Sequence, residues 1–110
     1  MHKMSVKTKY YNLLKANKKT IELRLFDEKR QNIKVGDKII FSDSCDKTET
    51  FNAVVINLHR AKNFEELSNI IMPEQAGFSS AKELIQTLEN FYSLAFQEKF
   101  GVVGIEIKKI

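Results

Sequence analysis

The chain has 110 residues, of which 43% are hydrophobic and 29% are charged, and its net charge is +4. A chain of this length forms one domain with a single core, and its hydrophobic fraction excludes intrinsic disorder. No run approaches the ~20 apolar residues of a membrane span, so we expect no membrane partner, and the positive charge mildly favours an anionic one.

The first predicted elements are a strand, a helix and a second strand. The first strand covers residues 1–6, and the helix runs from Thr8, as its capping residue, to about residue 16. Asn17 stands where a left-handed residue commonly ends a helix. The second strand covers residues 19–25, so the end of the helix delivers lysines directly to the start of this strand.

The second strand divides its side chains between two chemically different faces, because successive strand residues alternate. The aliphatic face carries Ile21, Leu23 and Leu25, and the polar face carries Thr20, Glu22 and Arg24, with Lys19 at the edge. The polar row could bind a polar ligand, or it could be a solvated sheet face with cross-strand ion pairs, which is commoner. We expect Glu22 and Arg24 to face a cleft. If they form a ligand site on the surface, alanine at Lys19 or Glu22 should leave the melting temperature nearly unchanged.

Two more strands are predicted in the middle of the chain. Residues 26–34 are strongly charged and lack glycine and proline, which fits a single helical turn or a loop. Gly36 marks a turn before a strand at residues 38–41. The strand at residues 48–58 contains a nearly continuous apolar run, which indicates burial on both sides or a bulge that shifts the alternation.

Helices dominate the last part of the chain. Asn63 and Ser80 each stand three residues before an acid, which is the spacing of a helix N-cap. The predicted order is a helix to about residue 71 ended by Pro73, a loop at 72–78, a helix to about residue 92, an ambiguous segment at 93–100 and a buried, centrally paired strand at 101–107. The whole pattern predicts a single mixed α+β domain over residues 1–110.

The sequence offers no motif for a cofactor or a metal, and we expect neither. Phosphate-binding loops of the Gly-x-x-x-x-Gly-Lys type and Gly-x-Gly-x-x-Gly are absent, which excludes the nucleoside triphosphatase and dinucleotide-binding classes. His2, His59 and Cys45 are not spaced as a zinc site. His59 fits a barrel-rim residue better than a catalytic base, since the sequence places no acid beside it. The lone cysteine permits no internal disulfide, and with no visible signal peptide we expect a cytoplasmic protein.

Basic residues gather in two stretches, 15–34 and 59–62. If the two stretches converge in space, they form a surface that attracts phosphates; alternatively, lysines simply keep a small domain soluble. The side chains best suited to stacking on a base are Tyr10, Tyr11 and Tyr92, although packing is the commoner role for each.

The second strand and its flanks resemble the ASCH domain family, a small relative of the RNA-binding PUA fold. The family motif is Gly-x-Lys-x-x-Glu-x-Arg, followed by a basic turn and a Gly-Asp pair that opens the next strand. The matching residues are Asn17, Lys19, Glu22 and Arg24, then Asp27 to Arg30, then Gly36 and Asp37. Asn17 replaces the family glycine, and asparagine is among the few residues that tolerate a positive φ. The resemblance implies a PUA-like small β-barrel of about five strands with flanking helices.

The resemblance also implies a domain that binds RNA or a nucleoside or nucleotide. Phosphates would be contacted by Lys18, Lys19, Lys29 and Arg30. Glu22 and Arg24 would hydrogen-bond a base or order the site, with Thr20 beside them. Single-stranded or structured RNA fits better than duplex DNA, since no recognition-helix motif is present.

A second function is open, because some ASCH-like proteins remove the acetyl group from N4-acetylcytidine with a lysine, a threonine and a glutamate. Lys19 matches the lysine of those amidohydrolases. Their threonine falls on Glu22, with Thr20 displaced by two residues, and Glu74 is the acid nearest to the position of their glutamate. A protein-interaction domain without a small ligand is the third alternative.

Overall fold

The computed structural model describes all residues from 1 to 110. Its strands are β1 (His2–Val6), β2 (Ile21–Leu25), β3 (Lys38–Asp43), β4 (Thr50–Ala61) and β5 (Val102–Lys109). Its helices are α1 (Thr8–Lys15), α2 (Glu28–Gln31), α3 (Phe64–Ile70), α4 (Ala81–Phe91) and α5 (Leu94–Phe100), with a 3₁₀ helix at Pro73–Ala76 between α3 and α4. None of these helices combines the length and the apolar character that crossing a membrane requires.

The five strands form one curled sheet, a half-barrel with the helices at its flanks, in the order β1-β3-β4-β5-β2. β1 pairs with β3 in parallel, and the other neighbours are antiparallel. The edges of the half-barrel are therefore β1 and β2. β5 lies between β4 and β2, which confirms the predicted central pairing of the last strand. This architecture confirms the predicted mixed fold of about five strands.

A bulge accounts for the long apolar run in β4. The register between β4 and β5 shifts between Val55 and Asn57, so that Ile56 is the extra residue and faces solvent. An inserted residue shifts the alternation of faces along a strand. Of the two alternatives that the sequence allowed, the bulge is correct.

Two apolar clusters hold the fold together. One packs α1 against the sheet and includes Tyr11, Leu14 and Phe41. The other covers β2 with α3 and α4, and to it β2 contributes Ile21, Leu23 and Leu25, all of them buried. The predicted aliphatic face of β2 is therefore confirmed. Tyr11 is core rather than a stacking residue.

The end of α1 determines how the chain enters β2. Asn17 has a φ of 61°, its N–H donates to the Leu14 carbonyl over 3.1 Å, and the Lys18 N–H donates to the Leu13 carbonyl over 2.9 Å. This pair of bonds is the Schellman arrangement, which needs a left-handed residue at this position. The predicted role of Asn17 is confirmed, and the tight turn leaves Lys19 directly before β2.

The predicted cap of α1 is wrong. Lys7 is the N-cap, and the Thr8 hydroxyl instead donates to the Asp43 carboxylate over 2.6 Å. Asp43 is buried because β3 continues to this residue, where it pairs with Val6. A buried carboxylate needs donors, and the Thr8 hydroxyl supplies one.

The caps of the later helices agree with the sequence. The side chains of Asn63 and Ser80 accept hydrogen bonds from backbone N–H groups three residues ahead, and Ser93 does the same for α5. The ambiguous segment is therefore a helix, and the predicted loop contains the 3₁₀ helix, which ends at Gly77 with a φ of 88°. Ile70, near the end of α3, is half exposed.

Candidate functional site

The polar face of β2 is a buried group of three charges rather than a solvated row. The Lys19 Nζ lies 3.0 Å from the Glu22 Oε1, and the Arg24 Nε lies 2.8 Å from the Glu22 Oε2. The side chains of Lys19, Glu22 and Arg24 are 4%, 8% and 15% exposed. Removing one partner of a buried ion pair is strongly destabilising. The expectation that alanine at Lys19 or Glu22 leaves the melting temperature unchanged does not fit this burial.

Lys19 and Arg24 differ in how many of their N–H donors have a hydrogen-bond partner. The Lys19 ammonium also donates to the Ala76 carbonyl over 3.1 Å and lies 4.8 Å from the centre of the Tyr10 ring, so all its directions have partners. Arg24 has five N–H donors, of which Nε bonds Glu22 and one on Nη2 bonds the Ser5 carbonyl over 3.0 Å. Three donors of Arg24 have no protein partner, so Arg24 is the cation that can reach a ligand.

Mutual attraction favours the ionised forms of the Glu22 carboxyl and the Arg24 guanidinium. Burial alone would raise the pKa of the Glu22 carboxyl, but the charges of Lys19 and Arg24 and their hydrogen bonds outweigh it, and the pKa is lowered. Burial alone would lower the pKa of the Arg24 guanidinium, but the charge of Glu22 outweighs it, and the pKa is raised. An ionised Glu22 with a lowered pKa is a good hydrogen-bond acceptor and a weak base.

The triad lies in a cleft of about 200 Å³ between the end of β1 and β2. Four aromatic side chains line this cleft beside the charges: Tyr10, Phe78, Phe91 and Tyr92. Its volume corresponds to about seven liquid water molecules at ~30 Å³ each. It is smaller than the pockets of about 300–1,000 Å³ that hold drug-sized ligands. The cleft therefore suits one small planar group.

Arg24 also joins the two edges of the half-barrel. Ser5 belongs to β1 and Arg24 to β2, and neither strand has a further partner in the sheet on this side. The hydrogen bond from Arg24 to the Ser5 carbonyl bridges the seam between them. We call this line of contact the β1–β2 seam, and the cleft opens on it.

The family profile of the ASCH domain matches residues 4–110. The chain belongs to the ASCH domain family. Comparison with the curated proteins gives no match. Two solved structures resemble this ASCH domain along its whole length. One is the hypothetical protein PH0355, with 35% identity, a TM-score of 0.86 and coverage of 98% of this chain and 97% of that one.

The second is the protein PF0455 from Pyrococcus furiosus, with 32% identity, a TM-score of 0.74 and coverage of 99% and 96%. The ASCH protein from Zymomonas mobilis is similar in fold alone. It has 12% identity, a TM-score of 0.67 and coverage of 96% of this chain and 65% of that one.

This ASCH domain brings together only some of the predicted site residues. Lys19, Glu22 and Arg24 line the cleft. Thr20 lies beside them in sequence but does not line it, and its backbone N–H bonds the Gln75 carbonyl. Glu74 is exposed on the 3₁₀ helix, outside the cleft.

Three of the four predicted phosphate contacts lie outside the cleft. Lys18 is exposed just after α1 and lines no described cavity. Lys29 and Arg30 belong to α2 and line a separate cavity near the start of β1. Within the second basic stretch, Arg60 stacks on the Phe26 ring, with its guanidinium carbon 3.7 Å from the ring centre. Of the predicted phosphate contacts only Lys19 lines the cleft, and the two basic stretches do not converge there.

Several partners in the site carry no local sequence signal. The Ala76 and Ser5 carbonyls hold the triad, but any residue has a carbonyl, so only the fold reveals them.

His59 has an acid partner that the sequence does not place: its Nε2 lies 2.7 Å from the Glu106 Oε1 across β4 and β5. The structure contains no group of three or more His, Cys, Asp or Glu side chains that could hold a metal ion.

Proposed function

We propose that this ASCH domain binds one nucleoside unit, of RNA or of a nucleotide, in the cleft on the β1–β2 seam. The observation that carries this proposal is the Lys19–Glu22–Arg24 triad, buried and charged at a small cleft with aromatic walls. Buried charges are costly unless fully paired, and their presence in a cleft favours a functional role. Family membership supports an RNA-binding or hydrolase-like domain at the coarser level.

The cleft has the groups that a nucleobase requires. Arg24 offers free N–H donors, and each Glu22 oxygen retains a lone pair beyond its bond to a cation. Adjacent donors and acceptors complement the carbonyl and amino groups of a base edge. Tyr10 and Tyr92 provide rings against which a base can stack, which is how proteins commonly hold unpaired bases.

In this arrangement the three charged residues have different tasks. Arg24 and Glu22 contact the ligand, and Lys19 fixes the orientation and charge of Glu22 without a free donor of its own. This assignment revises the expectation that Lys19 contacts the ligand. The net charge of the triad is positive, which favours a carbonyl-rich or anionic ligand over a cationic one.

The amidohydrolase is the second candidate. In its favour, Lys19 matches the lysine of the N4-acetylcytidine amidohydrolases and lies within 3.0 Å of a carboxylate in the cleft. Against it, Glu22 occupies the position of their threonine, and neither Thr20 nor Glu74 lines the cleft. Glu22 is also held by two cations, which makes it a weak general base.

Calorimetric titration with the four ribonucleosides and N4-acetylcytidine tests both candidates. We expect binding of at least one nucleoside, at least tenfold weaker binding by Arg24→Gln, and unchanged binding by Arg60→Gln, an exposed arginine outside the cleft. Phe91→Ala removes a wall that is 46% exposed without touching the triad, and it should also weaken binding. Release of acetate from N4-acetylcytidine would promote the amidohydrolase. No binding of any nucleoside would refute the proposal.

A further inference from the structure

A second cavity, beside the start of β1, has a strongly basic lining. It has a volume of about 230 Å³ and lies between the start of β1 and α2. Lys3, Lys29 and Arg30 line it together with His2, and no carboxylate does. The remaining lining is apolar. Three cations around one small space, without an acid among them, form a site for an anion.

Arg30 in this cavity has unused hydrogen-bonding capacity. Its Nη1 lies 3.4 Å from the Asp27 Oδ2, which is a long contact, and its Nε is buried without a partner. A buried donor that lacks an acceptor costs free energy. Lys29 is exposed and forms no salt bridge. His2 is already held by Asp37, 2.8 Å away, which lies outside the cavity lining. The vacant donors therefore belong to Arg30 and the lysines.

The two cavities follow one another along β1. On one side β1 contributes its first residues to the second cavity and Ser5 to the cleft. On the other side β2 contributes Arg24 to the cleft, and α2, which follows it in the chain, contributes Arg30 to the second cavity. From His2 to Ser5 the strand advances about 10 Å at ~3.3 Å per residue. A stacked strand, with a rise of about 3.4 Å per nucleotide, covers that distance in three steps, and an unstacked strand covers it in fewer.

The segment from Lys3 to Lys7 carries an exposed lysine at each end. Lys3 and Ser5 share one face of β1, and Lys7 follows the strand as the N-cap of α1. Lys7 also lies over the Phe91 ring at the mouth of the cleft, with its Nζ 4.2 Å from the ring centre. A backbone of phosphates that followed β1 would therefore meet exposed cations at both cavities.

We propose that the second cavity binds a phosphate of the same RNA strand whose nucleoside unit occupies the cleft. The inference rests on the proposed function and narrows it: the ligand is a single-stranded oligoribonucleotide of about four nucleotides, rather than a free nucleoside. An enclosed cleft for one base requires that base to be unstacked and unpaired, which single strands supply. Linkage then makes the second contact intramolecular and raises the affinity.

The test compares linked and unlinked ligands. The four homotetraribonucleotides and the four free ribonucleosides, each nucleoside also with added inorganic phosphate, are titrated into the protein at 50 mM and 200 mM salt. The variants are Lys29→Gln for the second cavity, Arg24→Gln for the cleft and Lys18→Gln as the control, since Lys18 is exposed, equally basic and outside both cavities. Lys29 touches no described partner, so its variant should fold normally.

We expect a tetranucleotide to bind the parent at least tenfold more tightly than its nucleoside, with or without free phosphate. Lys29→Gln should weaken tetranucleotide binding about fivefold or more. It should also reduce the slope of log affinity against log salt by about 0.7, the value for one phosphate of a single strand. The same variant should bind the nucleoside as the parent does, and Lys18→Gln should match the parent throughout.

Three outcomes would overturn the inference. Equal loss in Lys29→Gln and Lys18→Gln would mean diffuse attraction by surface lysines. An equal gain from free phosphate would mean a site for small anions rather than for a strand. A third outcome is that Arg24→Gln weakens nucleoside binding but a tetranucleotide binds the parent no better than its nucleoside does. That result would support the cleft as a nucleoside site and refute the second cavity as a phosphate site. No binding of any nucleoside would refute the proposed function itself, and the inference would fall with it.

Discussion

Replacement of Glu22 by glutamine should destabilise the domain strongly. The substitution keeps the shape of the side chain and removes the charge that Lys19 and Arg24 share at 3.0 and 2.8 Å. Breaking a buried ion pair costs about 3–5 kcal/mol, because a buried charge loses its partner. Lys19 keeps its bond to the Ala76 carbonyl, and Arg24 is partly exposed, so we expect the lower end, about 3 kcal/mol. For a domain of this size that loss lowers the melting temperature by about 12–24 °C.

Urea unfolding followed by circular dichroism at pH 7 measures this loss. The control is Glu49→Gln, which removes the acid of the Lys15–Glu49 pair at 3.1 Å, an exposed pair that should contribute little. Combining Lys19→Met with Glu22→Gln removes the stranded charge as well, so the double variant should be more stable than Glu22→Gln alone. The reasoning is refuted if Glu22→Gln and Glu49→Gln shift the midpoint equally.

Three further results are expected. Because the pKa of Glu22 is lower in the folded state than its ordinary value of 4.5, ionised Glu22 stabilises the fold above pH 4.5, and this stability is lost as the pH falls through the folded pKa. The free energy of unfolding should therefore fall more steeply below pH 4.5 for the parent than for Glu22→Gln. Leu23→Ala should cost about 2–5 kcal/mol in urea unfolding, whereas Leu94→Ala, at a leucine that is 56% exposed, should cost far less. Gly77→Ala should lower the melting temperature, because φ is +88° and the new Cβ would lie 3.3 Å from the Lys19 Cδ, and an unchanged value would contradict this strain.

Much of the fold could be predicted from local patterns, because those patterns report local physics. The alternation in β2 predicts which face joins the apolar core, and serine and asparagine three residues before an acid predict the helix starts at Asn63 and Ser80. Asn17 predicts a left-handed residue after α1, because asparagine tolerates a positive φ. The sequence predicts a side chain's role wrongly where a partner far away in the sequence determines that role. Thr8 is an example, since its hydroxyl bonds Asp43, 35 residues away.

The site divides in the same way. The charge pattern identifies Lys19, Glu22 and Arg24 as neighbours, and the family motif places them together. Their burial depends on Ser5 and Ala76, which lie far away in sequence and contribute only backbone carbonyls. Likewise, the basic stretch at residues 15–34 looks like one surface in the sequence, yet some of its cations belong to a buried triad, some to a separate cavity, and Lys18 to neither.

Nucleoside binding in the cleft is tested most directly by backbone amide chemical shifts during titration with the four ribonucleosides. We predict that the largest shifts fall on the residues of the cleft, from Ser5 to Tyr10, at Glu22 to Arg24 and around Tyr92, and that Arg24→Gln abolishes them. The second cavity around Arg30 should shift only when the ligand carries a linked phosphate. Saturable shifts confined to another surface, or no shifts at millimolar nucleoside, would contradict the assignment of the cleft.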